Sequence, residues 1–201
     1  MAPLPTDPAA SNASASTNPP VTVGRRYTAA EGLELLQRMP MGELMGLANN
    51  ARLKRLPEET VTFVADTNPN YTNVCESGCR FCAFRRLAQD EDAYTLSPQA
   101  VADKVKGAQA LGATTVLLQG GHNPAIGLDD WLAYIDAIQQ RCPEVHIHPF
   151  SPAEFVYMAE KEGMALADLL KQIYAAGVRT LPGGGAEILS ERVRAEIAPA
   201  K

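Results

Sequence analysis

Short apolar segments rich in β-branched residues alternate along this chain with segments of helical pattern. The apolar segments are predicted strands at 60–66, 114–119, 145–150 and 178–181, and the strand–helix units recur at about 30-residue spacing. A strand, a helix and a second strand in this order form a right-handed unit with parallel strands. The sequence therefore predicts an α/β fold with a parallel sheet, and the loops that follow the strands meet at one edge of it.

Capping residues and glycines mark the predicted helices. Thr28, Ser97 and Ser151 are predicted N-caps, because their hydroxyls can accept hydrogen bonds from the first turn. Gly163 is predicted to interrupt a helical pattern. The predicted helices are 28–39, 41–55, 97–111, a helix capped by Asp129 or Asp130 that runs to 141, 152–163, 165–176, and a last stretch that ends near Ile197.

The number of predicted strands is too small to close a barrel. A TIM-type barrel has eight strands and carries its active site at their carboxyl ends, whereas a half barrel leaves two unpaired strand edges. We therefore expect a partial TIM-type (β/α) barrel of about four parallel strands, in which residues 25–201 form the N-terminal half of a barrel in a longer protein. Residues 1–24 are predicted to be a disordered tail, because their Pro-, Ala-, Ser- and Thr-rich composition cannot bury enough apolar surface.

The overall composition excludes several classes of protein. The chain has 201 residues, a net charge of -5 and 46% hydrophobic residues, which allows one sizeable core. It has no apolar run of membrane length and no basic stripe, so neither a membrane nor a nucleic acid is an expected partner. Clustered free cysteines and the absence of a signal-peptide pattern predict a reducing, cytoplasmic location.

Three of the four cysteines lie within eight residues, in the segment Cys75-Glu-Ser-Gly-Cys79-Arg-Phe-Cys82. A structural zinc site normally has four protein ligands, whereas a four-iron cluster on three thiolates keeps one iron open for a small molecule. Radical chemistry with S-adenosylmethionine needs such an open iron. The spacing therefore favours a [4Fe–4S] cluster with S-adenosylmethionine, and Phe81 is placed to cover the cluster and stack on an adenine.

Two other interpretations of the cysteines are open at this point. They could form a zinc site that is completed by Cys142, His122, His146 or His148. They could also form disulfides, although a lone CxxxCxxC without a signal peptide is not a secreted framework.

Several segments resemble a known group of enzymes. They are Asn70–Cys75 (NYTNVC), Cys79–Phe84 (CRFCAF), Leu118–Pro124 (LQGGHNP), His146–Glu154 (HIHPFSPAE) and Leu181–Leu189 (LPGGGAEIL). Together they resemble the radical S-adenosylmethionine enzymes of the futalosine and deazaflavin routes.

Within this group, the His-Pro-Phe-Ser segment and the triple glycine are most similar to the cyclic dehypoxanthine futalosine synthases of menaquinone biosynthesis. The aminofutalosine synthases tend to have Lys-Ala-Phe-Thr at the first segment, and the deazaflavin-precursor synthases Gly-Thr-Ala-Ala at the second. Thr67, Pro69 and Pro149 depart from the usual pattern.

The resemblance implies a site for both cofactors. Cys75, Cys79 and Cys82 would hold the cluster. Gly120 and Gly121 would hold the methionine amino group of S-adenosylmethionine, and Glu187 would accept its ribose hydroxyls. The structural alternatives are a tight turn at the two glycines and a glutamate that stabilises a helix start.

Four further residues are expected to surround a cavity for a small-molecule substrate: His122, His148, Ser151 and Glu154. The two histidines at 146 and 148 should share one face of their strand, because strand side chains alternate. Each of these residues also has a structural interpretation, such as the N-cap role of Ser151. Tyr71 and Asn73 are expected to brace the cysteine loop.

The resemblance implies an oxidoreductase that cyclises dehypoxanthine futalosine and takes its electron from a donor such as flavodoxin or ferredoxin. The first alternative is a sibling radical enzyme: an aminofutalosine synthase, or one that joins a tyrosine-derived hydroxybenzyl group to a ribitylaminouracil. The second alternative is a metal-binding fragment without catalytic activity.

Overall fold

A computed structural model describes residues 25–57, 60–183 and 188–199, which fall into two compact units divided between Thr62 and Phe63. The first unit contains helix α1 (Ala29–Arg38) and helix α2 (Met41–Arg55), as the sequence predicts. Thr28 caps α1 reciprocally with Glu31: the Glu31 backbone N–H donates to the Thr28 hydroxyl, and the Thr28 N–H donates to the Glu31 carboxylate. Across the described ranges, no helix is long and apolar enough to cross a membrane.

The second unit is an α/β structure built on a parallel sheet of order β1–β2–β3. Its elements are β1 (Asp66–Thr67), α3 (Pro98–Ala110), β2 (Thr115–Leu118), α4 (Leu128–Arg141), β3 (His146–Pro149), α5 (Pro152–Lys161), α6 (Leu166–Ala175) and α7 (Glu191–Ile197). Asp66 is in register with Thr115, and Thr115 with His146. The predicted α/β class, the parallel sheet and the partial barrel are confirmed.

Local sequence explains where several helices begin and end. Ser97 and Ser151 cap α3 and α5 as predicted, and each is followed by a proline whose fixed φ suits the first helical position. Gly163 lies between α5 and α6 and has a φ of 63°. A residue with a side chain would be strained in this left-handed conformation, so glycine suits the break between the two helices. Helix α4 differs from the prediction: its N-cap is Gly127, and Asp130 accepts a hydrogen bond from the Gly127 N–H at 2.8 Å.

The core lies between the sheet and helices α3 to α6. Trp131 of α4 stacks on Phe150 with ring centroids 3.6 Å apart, and Phe155 meets both rings edge-on. Phe150 follows β3 with a φ of 53°, a conformation that is costly for a bulky residue. The fully buried aromatic stack explains why the chain keeps that conformation.

The strands are fewer and shorter than predicted. Of the predicted strand at 60–66, only Asp66 lies in β1, and the Ala65 carbonyl beside it accepts from the Thr114 N–H at 2.8 Å. Val61 and Phe63 are 78% and 89% exposed. Residues 178–181, predicted as a fourth strand, form no strand and contact β3 through side chains at Thr180. Of the four expected strands, three are therefore present in the ranges that the structure describes, because high β-propensity forms a strand only where a neighbouring strand accepts its backbone hydrogen bonds.

The two faces of strand β2 differ in burial. Val116 and Leu118 are fully buried against the helices, whereas Thr115 and Leu117 on the other face are only half-buried. The helices of the described part cover one face of the sheet, so β2 is fully buried on that face only. His146 and His148 share the less covered face, as the alternation of strand side chains predicts.

Candidate functional site

A cavity of about 770 Å³ lies at the carboxyl ends of the three strands. The loop after β1 supplies most of its wall, and the segments after β2 and β3 supply the rest. Its lining residues are Asn68, Asn70, Thr72, Asn73, Cys75, Ser77, Cys79, Phe81, Cys82, Ala83, Phe84, Arg85, Tyr94, Gln119, Gly120, Gly121, His122, Ser151 and Glu154. The cavity therefore occupies the edge at which the sequence places the site.

All three clustered cysteines line this cavity. Cys79 is buried, Cys75 is half-buried and Cys82 is exposed, and none of them forms a disulfide. The Ser77 hydroxyl lies between two sulfurs, 3.1 Å from Cys75 Sγ and 3.4 Å from Cys79 Sγ. The His122 backbone N–H donates to Cys75 Sγ at 3.3 Å.

This donor set fits an iron–sulfur cluster. Three thiols on one loop face a common cavity, and hydrogen bonds to ligand sulfurs are among the features that set a cluster's potential. Cys75, Cys79 and Cys82 would hold the cluster, and Ser77 and the His122 amide would stabilise its sulfur ligands.

The four candidate ligands for a zinc site lie in three separate places. Cys142 is fully buried in the core before β3, at the opposite end of the strand from the cavity. His146 and His148 both bind the Thr180 hydroxyl, and only His122 lies beside Cys75. Within residues 25–57, 60–183 and 188–199, no three or more His, Cys, Asp or Glu side chains are grouped to hold a single metal ion.

Gly120 and Gly121 are required by close packing against the cysteine loop. A Cβ at Gly121 would overlap the Val74 carbonyl oxygen and lie 2.7 Å from the Cys75 Cβ. A Cβ at Gly120 would lie 2.5 to 2.8 Å from atoms of the Tyr71 ring. The two glycines therefore let the loop after β2 approach the cysteine loop, and both also line the cavity.

The cysteine loop, residues 71–96, is closed at its base by backbone hydrogen bonds. The Leu96 N–H donates to the Tyr71 carbonyl at 2.8 Å, and the Asn73 N–H donates to the Tyr94 carbonyl at 3.3 Å. Closer to the first cysteine, the Arg86 N–H donates to the Asn73 carbonyl at 2.8 Å, and the Cys75 N–H donates to the Arg86 carbonyl at 3.1 Å. The chain thus leaves the barrel near Tyr71 and returns to the same place at Leu96.

Polar side chains reinforce this closure. Asn73 donates to the Asp92 carbonyl and accepts from the Tyr94 N–H. The buried Asn123 donates to the hydroxyls of Thr72 and Thr95, which ties the loop after β2 to both ends of the cysteine loop. Asn73 therefore braces the loop, as the sequence predicts.

Glu154 is a buried carboxylate that joins three parts of the site. Its Oε1 accepts from the Tyr71 hydroxyl at 2.9 Å and from the Gly120 N–H at 3.0 Å. Its Oε2 accepts from the Ser151 N–H at 2.7 Å, and Ser151 caps α5 in return. Burial raises the pKa of Glu154, and the hydrogen bonds from Ser151, Gly120 and Tyr71 oppose that rise. Burial and the Glu154 charge raise the pKa of Tyr71 well above its usual value.

The raised pKa of Glu154 predicts a pH-dependent stability. A carboxyl group whose pKa is higher in the folded than in the unfolded protein stabilises the fold below its unfolded pKa, and this contribution is lost as pH rises through the folded pKa. We expect wild type to lose stability relative to Glu154→Gln over that window, by about 1.4 kcal/mol for each unit of difference.

Melting curves of wild type, Glu154→Gln and the exposed Glu160→Gln from pH 4 to 8 would test this expectation. The Glu160→Gln protein should follow wild type throughout, because Glu160 lies on the exposed side of α5. A constant difference between wild type and Glu154→Gln across the range would contradict it.

His122 is positioned by the cysteine loop. Its carbonyl accepts from the Glu76 N–H at 3.0 Å, and its ring stacks on Tyr157 of α5 with centroids 4.5 Å apart. The Tyr157 hydroxyl donates to the Glu76 carboxylate. Burial, together with the charges of Glu76 and Cys75, raises the pKa of Tyr157 to about 12. His122 is thus held at the cavity wall beside Cys75.

His148 lies apart from the cavity lining. Its Nδ1 and the Nε2 of His146 are each 2.7 Å from the Thr180 hydroxyl oxygen, on the less covered face of the sheet. Burial, followed by the proximity of His146, lowers the pKa of His148. Of the four expected substrate residues, the structure brings His122, Ser151 and Glu154 together at the cavity but not His148.

The remaining predicted cofactor residues are Phe81 and Glu187. Phe81 lines the cavity between two of the cysteines and is 47% exposed, so its ring is accessible to a ligand. Glu187 lies outside the described residues.

Several residues of the site were not singled out from the sequence. Ser77 could have been, because it is a polar residue inside the cysteine motif. Arg85 and Phe84 follow that motif directly, but no spacing rule identifies them. Asn123 and Thr72 come together only through the fold, 51 residues apart in the chain.

Comparisons with known proteins agree with this geometry. The chain matches the family profile described as the radical SAM superfamily over residues 69–200. It is 42% identical over 159 residues to a 5-amino-6-(D-ribitylamino)uracil–L-tyrosine 4-hydroxyphenyl transferase of Methanopyrus kandleri, an alignment that covers 79% of this chain and 43% of the relative. It is 35% identical over 178 residues to a cyclic dehypoxanthine futalosine synthase of Halalkalibacterium halodurans, covering 89% of this chain and 48% of the relative.

These relatives are longer than the chain, which spans about half of their length or less. Among solved structures, the chain is similar to methylornithine synthase with a TM-score of 0.54 at 16% identity, over 80% of this chain and 56% of that one. At this identity the likeness concerns the fold, and it agrees with a partial barrel.

Proposed function

Because the chain belongs to the radical SAM superfamily, we propose that the intact protein is a radical enzyme that forms a bond to the aromatic part of a small-molecule substrate. Enzymes of this superfamily use a [4Fe–4S] cluster and S-adenosylmethionine and need a reductant. The observation that carries the proposal is that Cys75, Cys79 and Cys82 all face one cavity at the carboxyl edge of the sheet.

Different residues of the chain have different proposed roles at this site. When bound, the two cofactors supply an electron and a carbon-centred radical that removes a hydrogen atom from the substrate. The cysteine loop would hold the cluster, and Phe81 would stack on the adenine. Gly120 and Gly121 would take the methionine amino group, and Glu187 the ribose hydroxyls. A radical reacts with whatever is near, so the protein must orient the substrate closely and exclude water.

Glu154 supports this arrangement from within the cavity wall. Its three accepted hydrogen bonds fix Gly120, Ser151 and Tyr71 relative to one another. Each of those residues belongs to a segment that follows a different strand. We therefore propose that Glu154 positions the walls of the substrate cavity, with His122 and Ser151 at its surface.

The leading candidate reaction is the transfer of a tyrosine-derived group to 5-amino-6-(D-ribitylamino)uracil. It is supported by the 42% identity to the M. kandleri transferase. The second candidate is the cyclisation of dehypoxanthine futalosine. It is supported by the H. halodurans relative and by the sequence Pro182-Gly183-Gly184-Gly185 together with His148-Pro149-Phe150-Ser151. A flavodoxin or ferredoxin is the proposed electron donor for either reaction.

Supplying each substrate set separately distinguishes these functions. The chain is reconstituted anaerobically with iron and sulfide, reduced with dithionite, and given S-adenosylmethionine. One reaction receives L-tyrosine with 5-amino-6-(D-ribitylamino)uracil, and the other receives dehypoxanthine futalosine. We expect the coupled product in the first reaction by mass spectrometry, and no product in either with Cys79→Ala.

Cyclised product in the second reaction alone would establish the cyclase instead. A chain that binds the cluster and S-adenosylmethionine but forms neither product would be a metal-binding fragment, and the proposed activity would be wrong for it.

A further inference from the structure

The cavity beside the cysteines contains one positively charged side chain among its described lining residues, that of Arg85. The lining also contains one carboxylate, Glu154, whose two oxygens already accept three hydrogen bonds from the protein. The three cysteine sulfurs are assigned to the cluster, so no other anionic side chain among the described lining residues remains to pair with Arg85. Arg85 is therefore the side chain of the described lining that is best suited to bind an anionic group of a ligand.

Arg85 is held in place through only part of its guanidinium group. Its Nε donates to the Cys75 carbonyl oxygen at 3.0 Å, so the group is anchored to the backbone of the first cysteine. Its two terminal nitrogens make no hydrogen bond or ion pair with the part of the chain that the structure describes. The next residue differs: Arg86 pairs with Asp92 and donates to the carbonyls of Ala83 and Arg85.

A guanidinium group that is anchored at Nε still has its terminal nitrogens available. These nitrogens form a planar fork that matches the two oxygens of a carboxylate. Phe84, next to Arg85 in the chain, lines the same cavity and is 69% exposed. A positive fork and an accessible aromatic ring are together suited to a ligand that has both a carboxylate and an aromatic ring.

We propose that Arg85 is a specificity-determining residue that binds the carboxylate of the ligand in this cavity. The inference rests on the proposed function in taking the cavity as the ligand site. Two ligands of that function carry a carboxylate: the aromatic substrate and S-adenosylmethionine. The contacts favour the aromatic substrate, because Phe84 adjoins Arg85, and the experiment separates the two sources.

The test compares a carboxylate ligand with its neutral ester. Binding of L-tyrosine and of L-tyrosine methyl ester is measured by calorimetry on the reconstituted 201-residue chain, as wild type, Arg85→Gln, Arg85→Lys and Arg80→Gln. Arg80 is the matched control, because it is an exposed arginine of the same loop and does not line the cavity. Binding of S-adenosylmethionine and iron content are measured on the same four proteins.

For Arg85→Gln we expect L-tyrosine affinity to fall about tenfold to a hundredfold, the range of a hydrogen-bonded charge pair. Arg85→Lys should lose less, because it keeps the charge without the fork. The ester should bind all four proteins equally, and Arg80→Gln should behave as wild type. A loss confined to S-adenosylmethionine would support a carboxylate site and assign it to the cofactor.

Three results would overturn the inference. The first is unchanged binding of both carboxylate ligands to Arg85→Gln. The second is an equal loss for the ester, which would indicate a deformed cavity. The third is a loss of iron without a selective loss of carboxylate binding, which would indicate that Arg85 only supports the cysteine loop. Each outcome is independent of whether either proposed product forms, so the two proposals can fail separately.

Discussion

Replacing Cys75, Cys79 or Cys82 by alanine is expected to abolish the iron–sulfur cluster in the reconstituted chain. Each change removes one of three thiols that face the cavity, and the described part of the site offers no spare thiol to replace it. A cluster with two protein ligands on this loop should not persist through purification. Iron and sulfide analysis, with electron spin resonance of the reduced protein, would measure the loss.

Cys142→Ala is the matched control for these variants. Cys142 is fully buried at the end of α4 and belongs to the hydrophobic core, away from the cavity. The variant should keep its iron and its spin resonance signal, with only a modest loss of stability from the small void. Loss of the metal on Cys142→Ala, with zinc in the wild-type protein, would establish the zinc interpretation of the cysteines.

Gly121→Ala is expected to cause the second large effect, on both stability and cluster content. The added methyl group would overlap the Val74 carbonyl oxygen and crowd Cys75, and backbone atoms cannot move aside as a flexible side chain can. Overpacking of this kind typically costs about 1–3 kcal/mol, and contact with backbone places the cost at the upper end. The loop after β2 would also have to move away from the cysteine loop, and this movement would break the hydrogen bond from the His122 N–H to Cys75 Sγ.

Melting curves and iron content would test this prediction. A loss of about 3 kcal/mol corresponds to a melting temperature roughly 6–12 °C lower for a domain of this size. Gly107→Ala is the control, because a Cβ there has nothing within 4 Å and lies in the middle of α3. That variant should be about as stable as wild type or slightly more stable. A Gly121→Ala protein with normal iron content and melting temperature would contradict the close packing.

The helices could be predicted from the sequence more reliably than the strands. Their ends are determined by local chemistry, such as the Ser97-Pro98 and Ser151-Pro152 caps, and this chemistry is visible within a few residues. Strands depend on partners that are distant in the chain. Residues 60–66 and 178–181 have strand-like composition, yet of these residues only Asp66 lies in a strand, β1, where it is in register with Thr115 of β2.

The same difference between local signals and contacts that are distant in the chain applies to the site. The cysteine motif and the loops after the strands indicated the location of the cavity, because their spacing is local and parallel strands share a carboxyl edge. The role of Glu154 could not be predicted in the same way. Its bond to Tyr71 joins residues 83 positions apart, and no pattern in a single sequence connects them. Arg85 was not predicted from the sequence, because its proposed role depends on the absence of any other Lys or Arg from the described cavity lining.

The closed base of the cysteine loop has a consequence for how such a site can evolve. Because Tyr71 and Leu96, where the chain enters and leaves the loop, are hydrogen-bonded to each other, the two ends of the loop are held together independently of the residues between them. The first half of the loop is also bound to the loop after β2, since Gly121 packs against Val74 and Cys75 and the Glu76 N–H donates to the His122 carbonyl. A different cluster-binding segment could therefore be exchanged at this junction only together with the loop after β2, so the two loops would be inherited as one cassette.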